Sequence, residues 1–148
     1  MALRDVVKAL RRIKVEDLAL EATEKFKEEI LDLNTEEQLF KGVDAQGQSL
    51  GEYSPFTVEI KEAKGQPTDR VTLKDEGDFY NSLFTNTDRF PVKIDSKDPK
   101  RNELVERFGT DILGLTGENK DKIVDDQIKE DTQDRFKASV SEAFKRLR

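Results

Sequence analysis

Two patterns in the 148-residue sequence have the residue types that metal-dependent chemistry needs. Asp44 followed by Glu59-Ile60-Lys61 loosely matches a nuclease arrangement in which carboxylates hold Mg²⁺ and a lysine steadies the attacking water. Asp95-Ser96-Lys97 is a second version. Asp75, Glu76 and Asp78, with Asp88, Asp95 and Asp98 downstream, form the densest run of hard oxygen donors, suited to Mg²⁺ or Ca²⁺ where three converge. EF-hand spacing is absent, which disfavours calcium. With 32 acidic and 26 basic residues both patterns arise readily by chance, and the acidic run reads foremost as solvated turn residues. A nuclease also needs a central strand and a basic groove for DNA, which a chain of net charge −6 does not supply.

Other chemistries drop out by composition. The sequence contains no histidine and no cysteine, which removes Ser-His-Asp triads, thiolate nucleophiles, disulfides and imidazole- or thiolate-held metals. Gly47-Gln48-Ser49-Leu50-Gly51 lacks the ending and setting of a phosphate loop. Tyr53, Phe56, Phe79, Tyr80 and Phe84 read either as a base-stacking platform or, with few arginines near them, as core between the middle segment and the helices. The expectation is a protein that is not an enzyme and takes no cofactor or metal, with the Asp44, Glu59, Lys61 nuclease as the alternative.

The elements that position these residues follow from periodicity. A length near 150 suits one domain, 1–148. Residues 2–33 carry Val6, Leu10, Ile13, Leu18, Ala22, Phe26, Ile30 and Leu33 without Gly or Pro, predicting one long N-terminal helix of about 45 Å. Its stripe drifts around Val15 to Leu20, where a bend or a change of packing partner is expected, and Thr35 is placed to cap a short turn through Glu36-Glu37. From 42 to 115 turn punctuation takes over. Thr57–Ile60 and Val71–Leu73 each fit a strand or a single helical turn, Asp78–Phe84 a short helix or the approach to a strand, and Arg89–Asp95 a strand that Pro91 confines to an edge or starts. Glu103–Phe108, closed by Gly109, fits a single-turn helix or a strand. Residues 118–148 predict a second long helix, striped by Val124, Ile128, Thr132, Phe136, Val140, Phe144 and Leu147, capped by Thr116 or Asn119, with Lys145, Arg146 and Arg148 suiting the dipole at its end. The fold class is α+β, long terminal helices around a small, irregular, mostly antiparallel sheet. No stretch reaches the ~18 apolar residues of a membrane span, and the opening MALRDVVKAL lacks the apolar run of a signal peptide, so neither a membrane nor export is expected.

Leu73-Lys74-Asp75-Glu76-Gly77-Asp78-Phe79-Tyr80-Asn81-Ser82-Leu83 resembles the signature phrase of small tail-completion and head–tail joining proteins of tailed bacteriophages. Asp44, Gly47, Tyr53, Thr57 and Lys61 sit as in that family's upstream loop, Glu103–Gly109 is similar to its phrase ending in glycine, and Ile112-Leu113-Gly114-Leu115-Thr116 to its step into the last helix, covering about 42–130. The sequence departs where Glu106 stands near the family's histidine and Thr110-Asp111-Ile112 replaces its Pro-Ala-Arg. The resemblance implies a virion structural protein of the neck or tail, assembling as a homo-oligomeric ring or joining one to other neck and tail proteins, made in the host cytoplasm and binding no nucleic acid specifically.

An acidic lumen would keep passing DNA from sticking. The segments 42–70 and 95–102 read as exposed loops. Tyr53, Phe56, Phe79, Tyr80 and Phe108 are the candidate interface residues, as aromatics flanked by loops anchor interfaces; intrachain core is the competing role, most of all for Phe79 and Phe108. A host-encoded adaptor built on a helical hairpin is a third reading.

Overall fold

The stretch whose periodicity predicts one helix over 2–33 folds as three. In the computed structural model, which describes residues 2–147, α1 spans Leu3–Arg11, α2 Val15–Lys25 and α3 Lys27–Thr35. The first break has a geometric reason. Val6 and Ala9 of α1 and Ile13, two residues past its end, are half-buried, and Leu18, five residues beyond Ile13, would sit about 140° around an unbroken helix. Lys14, extended at φ −101° and ψ 101°, turns the chain so that α1 and α2 both pack on the last helix. The second break lies at Phe26, whose N–H is shared between the Ala22 and Thr23 carbonyls. One turn earlier the Thr23 hydroxyl donates to the Ala19 carbonyl at 2.7 Å, a back-bond that bends helices. A continuous 45 Å helix is therefore not formed. Thr35 does not cap the next turn either; it is buried, and its hydroxyl donates to the Leu31 carbonyl at 2.9 Å.

A 3₁₀ turn over Leu39–Lys41 ends at Gly42. This glycine is required twice over: φ is +80°, and a Cβ there would lie 3.0 Å from the Cβ of Arg70. In the middle segment, α4 (Pro55–Ala63) absorbs Thr57–Ile60 into a nine-residue helix, started by Ser54, whose side chain accepts from the Thr57 N–H, with proline in the first position. Val71–Leu73 forms neither strand nor helix. α5 (Asp78–Asn81) leads into β1 (Leu83–Asn86), which pairs antiparallel with β2 (Lys93–Ser96), Leu83 opposite Ser96 and Asn86 opposite Lys93. The strand predicted over 89–95 thus starts after Pro91, the preceding residues making the turn. α6 (Arg101–Phe108) is a helix of two turns, closed by Gly109 at φ +89°.

After a 3₁₀ turn at Thr110–Leu113, α7 (Gly117–Ile123) begins with Thr116 accepting the Asn119 N–H at 3.2 Å. A widened, π-helical turn over Val124–Ile128 joins it to α8 (Lys129–Arg146). This turn corrects the predicted stripe: Ile123 is the buried residue, whereas Val124 and Phe136 are each more than 40 % exposed. The predicted helix end at Arg148 lies outside the described residues.

The fold is α+β, with a two-stranded antiparallel sheet among helices and a long final helix. One apolar cluster joins Ile30, Leu33, Leu115 and Ile123; a second joins Leu39, Phe79, Leu83 and Ile112, and Ile94 of β2 packs on both. Between them lies a polar clamp. Asn34 donates to the Ile112 and Gly114 carbonyls (3.1 and 2.9 Å), and Gln38 donates to Gly114 (2.8 Å) while accepting from the Thr116 N–H and the Asn119 amide (2.9 Å each). It ties α3 to the start of α7.

Candidate assembly surface

The segment 71–75 has no ladder of its own, so side chains must satisfy its backbone. Tyr53, ahead of α4, accepts the Thr72 N–H at 2.9 Å, and Tyr80 of α5 donates to the Thr72 carbonyl at 2.5 Å. Burial, reinforced by the Glu36 carboxylate, pushes the Tyr80 hydroxyl well above its usual range and keeps it a donor. Lys61, 7 % exposed, donates to the Lys74 carbonyl at 3.1 Å and to Gln66 Oε1 at 3.2 Å, with its ammonium 4.8 Å from the centre of the Tyr53 ring. Gln66 in turn donates to the Asp75 carbonyl at 2.7 Å. The Lys64 ammonium, 2.7 Å from Asp75, holds that carboxyl below the ordinary aspartate range.

The phrase at 73–83 runs from this hub into the core. Leu73 is held at φ +56°, Gly77 at +93° starts α5, Phe79 and Leu83 are core, and Ser82 donates to the Phe79 carbonyl at 2.6 Å and meets Ser96 at 2.7 Å. Beside the hub opens a cleft of about 750 Å³ lined by Tyr53, Thr57, Lys61, Phe79, Leu104 and Phe108, with Asp75, Glu76 and Asp78 and the cations Lys97, Lys100 and Arg107 also on its wall.

Of the five aromatics marked for an interface, the structure separates one from four. Phe56 is 72 % exposed and shares an outer stripe of α4 with Ile60. Phe79 is buried and Phe108 packs against its cluster, while Tyr53 and Tyr80 are hydrogen-bonded posts of the hub. Phe84 lies on β1, half-buried beneath the Lys97 ammonium.

The nuclease residues take unlike tasks. Asp44 is buried and accepts the N–H groups of Gln46 and Gln48 at 2.8 and 3.0 Å, shaping a turn. Glu59 is exposed; because Glu59-Ile60-Lys61 lies on a helix rather than a strand, its carboxylate leaves the axis about 200° from buried Lys61. Asp95 is turned to Arg101 at 2.9 Å. Among the described residues no group of three or more acidic side chains gathers as metal ligands, the 75–78 run included.

Sequence reasoning missed a second feature, an open apolar groove of about 930 Å³ lined by Phe90, Val92, Ile94, Leu115, Ile128 and neighbours. Phe90-Pro91-Val92, apolar yet ahead of the strand, was its one local signal. No family model, curated protein or solved structure matches this chain.

Proposed function

We propose that this chain is a structural component of a tailed-phage neck or tail, working by protein–protein assembly as a homo-oligomer with other neck and tail proteins. One observation supports the reading: of the phrases that resemble the tail-completion family, the parts between Tyr53 and Phe108 gather around a single hub and cleft, while Asp44, Gly47 and Ile112–Thr116 lie outside it. Tyr53, Thr57 and Lys61 come from one phrase, Leu73 to Leu83 from the next, and Phe108 from the third. The large residues left outside the hub, Phe56 and Ile60, form an apolar face suited to a partner.

Light scattering of the purified protein, run beside a plasmid-nicking assay in Mg²⁺, tests this. Self-association without nicking is expected. A strict monomer that nicks DNA and loses that activity on the exposed substitution Glu59→Gln, as well as on Lys61→Ala, overturns the reading.

A further inference from the structure

Charge is unevenly divided along the chain. Residues 2–14 carry five basic side chains and one acidic one, a net +4, which leaves −10 for the remainder of a chain whose total is −6. α1 buries no residue fully. Its half-buried side faces α8, but its apolar surface is wider than that contact: Leu3, Val7 and Leu10 stand 79, 38 and 37 % exposed, one stripe at i, i+4, i+7. Arg4, Lys8 and Arg11 run alongside it, and no ion pair within the described residues engages them.

The opposite surface exists on the same molecule. Between α3 and α7 lies a groove of about 430 Å³ with Leu33 and Ile123 in its floor and Glu29, Asp32, Glu36, Glu37 and Asp126 around it, against one cation, Lys122. Glu37 is held by Lys41 at 2.7 Å; the other four acids are in no ion pair among the described residues. Glu29 to Glu36 spans seven helical residues, and so does Arg4 to Arg11, about 10.5 Å in each case. The two ladders have opposite sign and equal length.

We propose that α1 of one copy docks into the α3–α7 groove of a second copy. Arg4 and Arg11 face Glu29 and Glu36, and Leu3, Val7 and Leu10, exposed in the single copy, are covered by the groove walls. The contact joins two different surfaces, so it propagates head to tail and closes as a ring where the rotation permits. It rests on the self-assembly reading above and names its interface. An anionic bilayer is the other surface that attracts a basic amphipathic helix, but it would face the −10 carried by the rest of the molecule.

A charge-swap experiment in the full chain, followed by sedimentation velocity, tests the contact. One variant carries Arg4→Glu with Arg11→Glu; the other carries Glu29→Arg with Glu36→Arg. All four positions are exposed, so circular dichroism is expected to match the parent. Each variant alone is expected to lose self-association by about tenfold or more, and raised salt to weaken the parent. An equimolar mixture is expected to associate again, since each copy then meets a groove of opposite sign. Self-association that persists in both single variants, or a mixture that stays dissociated, overturns this contact while leaving assembly through another surface standing. A parent that is monomeric at every concentration overturns it together with self-assembly. α1-dependent binding to phosphatidylserine vesicles by a non-associating parent overturns it in favour of a membrane surface.

Discussion

Gln38 is 1 % exposed and serves as both donor and acceptor in the clamp between α3 and α7. Replacing it with leucine keeps much of the side-chain volume, so the cavity contribution is small, but it removes three hydrogen bonds at once. The Gly114 carbonyl retains its bond from Asn34. The half-buried Thr116 N–H does not, and leaving a donor unpaired away from full solvent costs about 1–3 kcal/mol. The Asn119 amide, half-buried in the first turn of α7, recovers part of its loss from water. Gln38→Leu should therefore destabilise by about 2–3 kcal/mol, and Gln38→Ala by about 1 kcal/mol more through the space it opens. At about 2–4 °C per kcal/mol for a chain of this size, Gln38→Leu should lower the melting temperature by about 4–12 °C. Urea denaturation monitored by circular dichroism measures it. A Gln38→Leu protein within about 0.5 kcal/mol of the parent, the range of an indifferent surface change, would show that the clamp contributes nothing net and would refute the reasoning.

Three further expectations follow from other parts of the molecule. Tyr80→Phe should cost about 1 kcal/mol by unpairing the Thr72 carbonyl; because the native hydroxyl ionises above the unfolded value of about 10, the parent should also lose stability as pH rises past about 10, and Tyr80→Phe should lose less, as read from urea midpoints. Asp131 is held below the usual range by Arg135 and then Lys25, so its contribution is present above about pH 4 and lost below it; the gap in urea midpoint between Asp131→Asn and the parent should close on acidification through that range, and a gap unchanged at pH 3 would contradict the ion-pair account. Phe56→Ser should leave the monomer's stability within about 0.5 kcal/mol of the parent while weakening capture of a partner that uses the α4 face; a large loss of stability would place Phe56 in a core it does not occupy here.

The fold class was legible because its signals are local. Helical periodicity over 2–33 and 118–146, the Thr116 cap and the Pro91 limit on β2 each depend on neighbours within a few residues, whereas the Ser54-Pro55 start of α4 reads as loop punctuation. What escaped depends on contacts between distant ones. Periodicity over 2–33 marks a bend near Val15–Leu20 but does not reveal two full breaks, at Lys14 and Phe26, that let α1 and α2 both pack on α8. Gln38 looks like any surface glutamine until Gly114, Thr116 and Asn119 arrive around it. Lys61 and Asp44 were picked for reactivity, yet a buried lysine and a buried aspartate also serve to satisfy backbone that has no ladder, and they do so here. The loop aromatics divided the same way, Tyr53 and Tyr80 taken up by Thr72 and only Phe56 left outward.

The widened turn at Val124–Ile128 has a consequence for how α7 and α8 cooperate. A straight α-helix from 117 to 146 would keep a single azimuth, whereas its two halves serve neighbours that are not aligned: α7 addresses α3, and α8 addresses α2 and α1. The extra residue in this turn acts as a phase shifter of about 100°. Removing one residue from it would restore the ordinary pitch, leave Ile123 in place and swing Asp131 and Arg135 away from Lys25 and Glu21, uncoupling the first two helices from the rest. The orientation of α1, and with it the direction in which its basic ladder is presented, is thus set by the length of a turn that α1 never touches by sequence.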